Sequence, residues 1–222
     1  MIKSRLLPVL ACTALLGAAP ATSQAEDMRD LVGQSLEILN QFQTKGPKIP
    51  PQVMAKAKAL IFMKVTKGGL ILAGQHGDGL IIARNAKYKW SGPVAMDSSG
   101  ASFGLQAGGS VTRMVVLLNT DEAVNRIINN NDIKFVGEME GKAGPDATEI
   151  TDKWAPDSSV YLYSSTDGVY GGLSIKGVTM TVDHGVTNKT YSKPVSAGDV
   201  LNGKLPPPQV AQPLREKLAS QP

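Results

Sequence analysis

Two histidines carry the clearest acid–base potential of this sequence, and each has a carboxylate nearby, in His76-Gly77-Asp78 and in Asp183-His184. A histidine beside a carboxylate suits a general base, or a metal ligand with its orienting partner. Both pairs, however, lie next to glycine, where turn chemistry prevails. Two histidines do not complete a zinc site alone, although a carboxylate assists. Neither H-E-x-x-H nor G-x-S-x-G occurs. The histidines are read as turn residues, and no catalytic residue, metal or cofactor is assigned. A hydrolase using His76 and His184 stands as a third reading. The acids Glu138 and Glu140 have the spacing of one outward strand face.

The glycine-rich stretch VTKGGLILAGQHGDGLIIARN, residues 65–85, poses a second chemical question. A dinucleotide cradle needs G-x-G-x-x-G running from a strand into a helix. Here Gly77-Asp78-Gly79 is followed by Leu80-Ile81-Ile82, with no third glycine and with β-favouring residues beyond. No G-x-x-x-x-G-K-[ST] occurs. The glycines are therefore expected at hairpin corners between the apolar runs Leu60–Val65, Leu70–Ala73 and Leu80–Ala83.

Charge is unevenly spread. Residues 41–95 hold Lys45, Lys48, Lys56, Lys58, Lys64, Lys67, Arg84, Lys87 and Lys89 against the single acid Asp78. Residues 120–157 reverse the sign, with nine acids against Arg126, Lys134, Lys142 and Lys153. Such asymmetry suits an anionic partner, unless the two blocks mix on the folded surface. Within the basic block, Arg84-Asn85-Ala86-Lys87-Tyr88-Lys89-Trp90-Ser91-Gly92-Pro93 interleaves cations with aromatic rings. That pattern suits a bilayer interface, with rings at headgroup depth and cations on phosphate. It equally suits a loop whose Trp90 plugs a sheet.

These residues must be positioned by the rest of the chain. Lys3 and Arg5, an apolar stretch Leu6–Ala19, and Ser23-Gln24-Ala25 read as a secretory signal peptide over residues 1–25. Val9-Leu10-Ala11-Cys12 offers a competing lipoprotein box, but the apolar stretch before Cys12 is short. Cleavage after Ala25 leaves no cysteine, and loss of Lys3 and Arg5 from 23 basic residues leaves 21 against 19 acidic. The exported chain then carries +2 rather than the +4 of the whole sequence. Residues 26–46 form the next unit. Met28, Leu31, Val32, Leu36, Ile38, Leu39 and Phe42 share one side of an amphipathic helix over 28–43. Its polar side is not rich in Lys or Arg, so it is expected to pack on its own domain, with Leu39 and Phe42 as alternative membrane anchors.

Residues 47–222 form a β-rich unit with C-terminal helices. A short helix starts at Pro50-Pro51. Val111–Leu118 is a central-strand pattern, and Thr120-Asp121-Glu122 caps a helix through Ile128. Further strands are expected at 133–140, 159–164, 168–175, 178–182 and 186–191, with short helices in SAGDVLNGK and PPPQVAQPLREKL. The expected fold is α+β: a strongly curved, mostly antiparallel, barrel- or sandwich-like sheet with helices at both termini.

Across residues 28–205 the sequence resembles the SYLF-domain family. The resemblance rests on Ile49-Pro50 with Ala55-Lys56-Ala57, then Lys67-Gly68-Gly69, and Gly77-Asp78-Gly79 leading to Arg84. Trp90-Ser91-Gly92-Pro93, Phe103–Gly108 and Tyr163–Ser174 follow, with Asn188, Tyr191 and Leu201-Asn202-Gly203 at the end. Each is weak alone, and their order is specific. The chain departs from the family where Ala143-Gly144-Pro145 is followed by Asp146-Ala147-Thr148 rather than by glycine and arginine, and in its non-basic N-terminal helix. The resemblance implies lipid binding rather than catalysis. Eukaryotic members associate with phosphoinositide membranes, some yeast members bind actin, and bacterial members are exported. In a periplasm the ligand would instead be phosphatidylglycerol, cardiolipin or lipid A phosphates.

The sequence thus reads as an exported, non-enzymatic lipid-binding domain, periplasmic or secreted and peripheral to a membrane of anionic phospholipid. Lys45, Lys48, Lys56, Lys58, Lys64, Lys67, Arg84, Lys87 and Lys89 would meet headgroups, and Tyr88 and Trp90 would insert. The alternative is an envelope protein-interaction or structural module. Neither nucleic acid nor metal is expected as a partner.

Overall fold

The computed structural model describes residues 27–45, 48–68, 73–102, 110–134, 142–151, 153–166, 169–171 and 179–221. The expected signal peptide with Cys12 lies outside them, as do Phe103–Gly108, Glu138 and Glu140.

The first element is the expected amphipathic helix, α1 (Met28–Thr44). Its start is fixed by a capping box. Asp27 Oδ1 accepts from the Arg29 and Asp30 amides at 2.7 and 3.2 Å, and Asp30 accepts in return from the Asp27 amide. Its apolar stripe of Met28, Leu31, Val32, Ile38, Leu39 and Phe42 is buried in the domain, so Leu39 and Phe42 are core residues and not membrane anchors. The helix crosses the strands. Gln34 Nε2 donates to the Asp78 carbonyl at 2.9 Å, and Gln41 Nε2 donates to Ser165 Oγ at 3.1 Å.

After the six-residue α2 (Pro51–Lys56), the chain enters a sheet. Its long strands are β1 (Ala59–Gly68), β2 (Ala73–Asn85), β4 (Val94–Ser102), β5 (Ser110–Leu118) and β8 (Val160–Thr166). Shorter ones are β3 (Lys89–Trp90), β6 (Asp132–Lys134), β7 (Lys142–Ala143), β9 (Val169–Gly171) and β10 (Thr179–Val182). The order is β6-β10-β4-β2-β1-β5-β8-β7, with β3 on β2 and β9 on β8. All pairings are antiparallel except β7 with β8. Among the described residues the sheet runs from one edge at β6 to another at β7, so the expected barrel- or sandwich-like sheet is corrected to a single open mixed sheet.

Helices cover both faces. Leu60, Phe62, Leu80, Ile82, Val115 and Leu117 point to the layer of α1, α2 and α6 (Gln212–Ala219). Ile61, Met63, Ile81, Val116 and Leu162 point to α3 (Asp121–Asn130) and α5 (Ala197–Leu201). Burial on both faces explains why these strands read as continuous apolar runs rather than alternating ones.

Two local expectations change. Gly77 and Gly79 lie inside β2, not at a corner. They pair with Val65 and Met63 of β1, and a Cβ on Gly79 would strike the Phe62 carbonyl and Met63 Sδ. Glycine is needed there for close approach of the two strands. The stretch 186–191, expected as a strand, belongs to helix α4 (His184–Tyr191). Its β-branched residues are used locally. Asp183 caps the Val186 amide at 3.0 Å, Thr190 bonds back to the Val186 carbonyl at 2.7 Å, and Thr187 Oγ1 accepts from the Ala95 amide at 3.0 Å.

Candidate functional site

The β2–β3 hairpin and the ends of three helices meet at one end of the molecule. In the hairpin, Asn85 Oδ1 accepts from the Lys87 and Tyr88 amides at 3.1 and 2.8 Å, closing the turn. Lys89 follows with φ 64°. Helix α6 braces the turn from behind. Arg215 Nε donates to the Trp90 carbonyl at 3.0 Å and its Nη2 to the Tyr88 carbonyl at 3.1 Å. Lys89 Nζ in turn donates to the Ala219 carbonyl at 3.0 Å, where the negative end of α6 favours a cation.

Trp90 is 1 % exposed, so insertion into lipid does not fit its placement. Its ring packs among the α1 and α2 layer. Arg84 lies over it, with Cζ 4.4 Å from the ring centroid. The same guanidinium donates to the Ala57 carbonyl at 3.1 Å and the Met54 carbonyl at 3.3 Å, capping the end of α2. Burial lowers the Arg84 pKa from its ordinary value. Arg84 is thus a clamp between β2, α2 and Trp90. Tyr88 is half-buried, with Lys87 Nζ 5.0 Å from its ring centroid.

The remaining basic residues divide by place. Lys45 and Lys48 are exposed in the connection from α1 to α2, which is pinned by the Ile49 amide on the Phe42 carbonyl at 3.1 Å. Lys56 is exposed at the end of α2 beside the Arg84 clamp, and Lys58 Nζ stands 3.6 Å from Asp121. Lys87 projects from the hairpin, exposed. The ends of α1 and α6 touch through Gln43 and Gln221, which brings Lys45 beside the helix that Lys89 caps. Lys64 does not join this group. It lies mid-strand between Asp78 of β2 and Arg113 of β5. The side chain of Lys67 lies outside the described residues.

Two cations at this end escaped the sequence reading, Arg215 and Lys217 of α6. They lie far down the chain from the basic block. Their signal is the Leu214 and Leu218 spacing, which buries one stripe of α6 and leaves its neighbours at the surface. Both histidines are exposed, but neither lies in a turn as expected. His76 pairs with Thr66 and Ser99 inside β2, with Nε2 2.9 Å from Asp78 Oδ1, and His184 is the first residue of α4, placed there by the Asp183 cap. Among the described residues no group of three or more His, Cys, Asp or Glu is placed to hold a metal ion, and no helix is long and apolar enough to cross a membrane.

The motifs behind the family resemblance turn out to interlock. The Ala83 amide donates to Ser91 Oγ at 3.0 Å, and the Ser91 amide to the Ala83 carbonyl at 2.8 Å, carrying the ladder past the break between β3 and β4. A Cβ on Gly92 would strike the Tyr191 hydroxyl, which bonds the Pro93 carbonyl at 3.2 Å. Asn85 Nδ2 donates to the Leu201 carbonyl at 3.3 Å, against Gly203 with φ 73°. Tyr163 closes over Gly144 and donates to the Pro145 carbonyl at 2.7 Å.

Comparison with known proteins agrees with this motif set. The family model described as Ysc84, "Las17-binding protein actin regulator", matches residues 99–221. Human SH3 domain-containing YSC84-like protein 1 is 30 % identical over 202 residues, 89 % of this chain and 58 % of that protein. LAS seventeen-binding protein 3 of Saccharomyces cerevisiae is 30 % identical over 176 residues, 78 % of this chain and 38 % of that protein. An SH3 domain-containing protein of Schizosaccharomyces pombe is 31 % identical over 184 residues, 80 % of this chain and 43 % of that protein. The chain therefore spans about half the length of these relatives, or less. It belongs to the Ysc84, or SYLF, family.

Proposed function

We propose that this domain is a non-enzymatic module that docks on anionic phospholipid through its basic end, the α1–α2 connection, the end of α2 and the β2–β3 hairpin. One observation carries this reading: Lys45, Lys48, Lys56 and Lys87 are exposed together and make no ion pair with a described residue. Each lysine near an anionic surface is worth about 1 kcal/mol. Four would supply about 4 kcal/mol, nearly three decades of affinity. With Trp90, Leu39 and Phe42 in the core, the attachment is one of headgroup contact rather than ring insertion. Export by the N-terminal segment to a periplasmic or secreted location is part of the same proposal.

The second reading is a protein-interaction module, favoured by the family description and by the name of the yeast relative. Flotation with neutral and anionic vesicles at low and high salt separates the two. Salt-sensitive flotation with anionic vesicles alone supports docking on lipid, because surface charges more than a Debye length apart are screened. No flotation with either vesicle, together with stoichiometric capture of one protein, transfers the basic end to a protein partner.

A further inference from the structure

A second concave site has a lining of its own. An open cavity of about 460 Å³ is bounded by the C-cap of α3, the N-terminal turn of α4, and the segment leading into α5. That volume falls in the range of small-molecule pockets, roughly 300–1,000 Å³. None of the lysines of the basic end lines it.

Its lining is chemically one-sided. His184 stands at the start of α4, Lys193 just beyond its end, and Asn188 between them. The Lys193 amide donates to the Asn188 carbonyl at 3.2 Å, which leaves its ammonium at the cavity, where it shares the field of Asp199, and His184 is exposed at the start of α4. Asn188 Oδ1 accepts from the Val195 amide at 2.9 Å, which leaves its Nδ2 as a donor. Asn131, held at φ 56° as the C-cap of α3, adds another amide. The acid in the lining, Asp199, is already committed: Lys204 Nζ lies 2.7 Å from its carboxylate. Hydrogen bonds from Lys204 and Ser196, with the charges of Lys204 and Lys193 beside them, hold that carboxyl below its ordinary range. Leu205 adds an apolar wall.

We propose that this cavity binds a small phosphate ester, with the phosphate among Lys193, His184 and the Asn188 amide and its short carbon portion against Leu205. A lysine point charge with imidazole and amide donors from separate directions suits a tetrahedral phosphate. A planar carboxylate is matched better by an arginine fork, and none lines the cavity. The ester is either a free metabolite or the headgroup of a lipid, and both present the same glycerol phosphate chemistry.

Calorimetric titration of the protein at low salt with two probes tests the site: glycerol 3-phosphate, and dihexanoyl phosphatidylglycerol kept below its micelle concentration. The expected result is saturable binding of at least one probe with Kd at or below about 1 mM. The tighter probe then identifies the source as free ester or lipid headgroup. Lys193→Glu is expected to weaken binding at least about tenfold, with His184→Gln giving a smaller loss. The combined Lys45→Glu, Lys48→Glu and Lys87→Glu variant should leave it unchanged. No saturable binding of either probe up to about 10 mM overturns the proposal, as does an unchanged Kd in Lys193→Glu. An effect confined to the basic-end variant would also overturn it, by moving the site to that end. Lys193 is exposed, so unfolding temperature provides a direct check that its variant is folded.

Discussion

Residues 84–90 bring two kinds of cation within a few positions of each other. Arg84 is half-buried and fully engaged: one carbonyl of α2, the carbonyl just past its end and the face of Trp90. Lys87 is exposed, with a ring beside it and no counterion among the described residues. Arg215 repeats the first pattern from α6, and Lys45, Lys48 and Lys56 repeat the second. A basic block in sequence is therefore two populations. Arginine, with its planar fork, ties elements together where backbone carbonyls need donors, and lysine stays in solvent where its charge is available to a partner. Charge counting merges the two, and their response to substitution should separate them.

The largest expected effect is at Trp90, whose ring Arg84 covers and whose carbonyl Arg215 holds. Trp90→Ala should cost about 3–5 kcal/mol of stability by urea unfolding, the range for deleting a fully buried large side chain. Trp90→Phe should recover much of this, because the indole Nε1 has no hydrogen-bond partner among the described residues. If Trp90→Ala left stability intact and instead removed vesicle binding, the division between architecture and surface would fail.

Next comes the lysine set. Converting Lys45, Lys48 and Lys87 to glutamate should reduce affinity for anionic vesicles by at least 100-fold, from about 1 kcal/mol for each charge lost. Stability should move by no more than about 0.5 kcal/mol for each exposed site. Lys89 is unsuited to this test, because its ammonium also caps α6. Unchanged vesicle affinity in the triple variant would end the electrostatic reading.

Arg84→Met sharpens the comparison from the other side. It keeps much of the apolar stem over Trp90 and leaves the Met54 and Ala57 carbonyls without that donor. A loss of about 1–3 kcal/mol is expected, typical of hydrogen bonds to a charged group. Vesicle affinity measured on folded protein should fall by no more than a single charge is worth, about 1 kcal/mol. A larger loss of binding than of stability would place Arg84 among the surface cations after all.

Much of this was legible in the chain, and the failures share a cause. The 100° spacing of Leu31, Ile38, Leu39 and Phe42 predicted α1 and its burial, because an apolar stripe without basic flanks has only its own domain to cover. Thr120 and the acids after it located α3 for an equally local reason. Gly77 and Gly79 misled because close approach between strands leaves the same glycine signal as a turn. Val186, Thr187 and Thr190 have the β-branching of a strand, yet the Asp183 cap starts a helix there. At the candidate site the block of cations was readable. Which of them are engaged was not, since the acceptors for Arg84 and Lys89 come from α2 and α6, and Arg215 arrives from the far end of the chain. Only the fold brings these together.

The acids obey the same division, and they supply the smallest test. Asp157 is exposed and accepts from Lys142 and Tyr161, which hold its carboxyl below the usual range. Asp97 is crowded instead. It faces Asp78 across β2 and β4 and Thr181 across β10, and burial followed by Asp183 and Asp78 raises its pKa, while His76 opposes the rise. A carboxyl whose folded pKa lies above its unfolded one contributes stability below the unfolded value, and that contribution is lost as pH rises through the folded value. Asp97→Asn should therefore raise the unfolding temperature at neutral pH, and the gain should shrink as pH falls through the window just above the ordinary aspartate value of 3.8. The matching Asp157→Asn change should do the reverse at neutral pH, by removing a favourable partner for Lys142. Equal responses from the two variants across pH would mean that cross-strand crowding does not distinguish Asp97 from an ordinary surface acid.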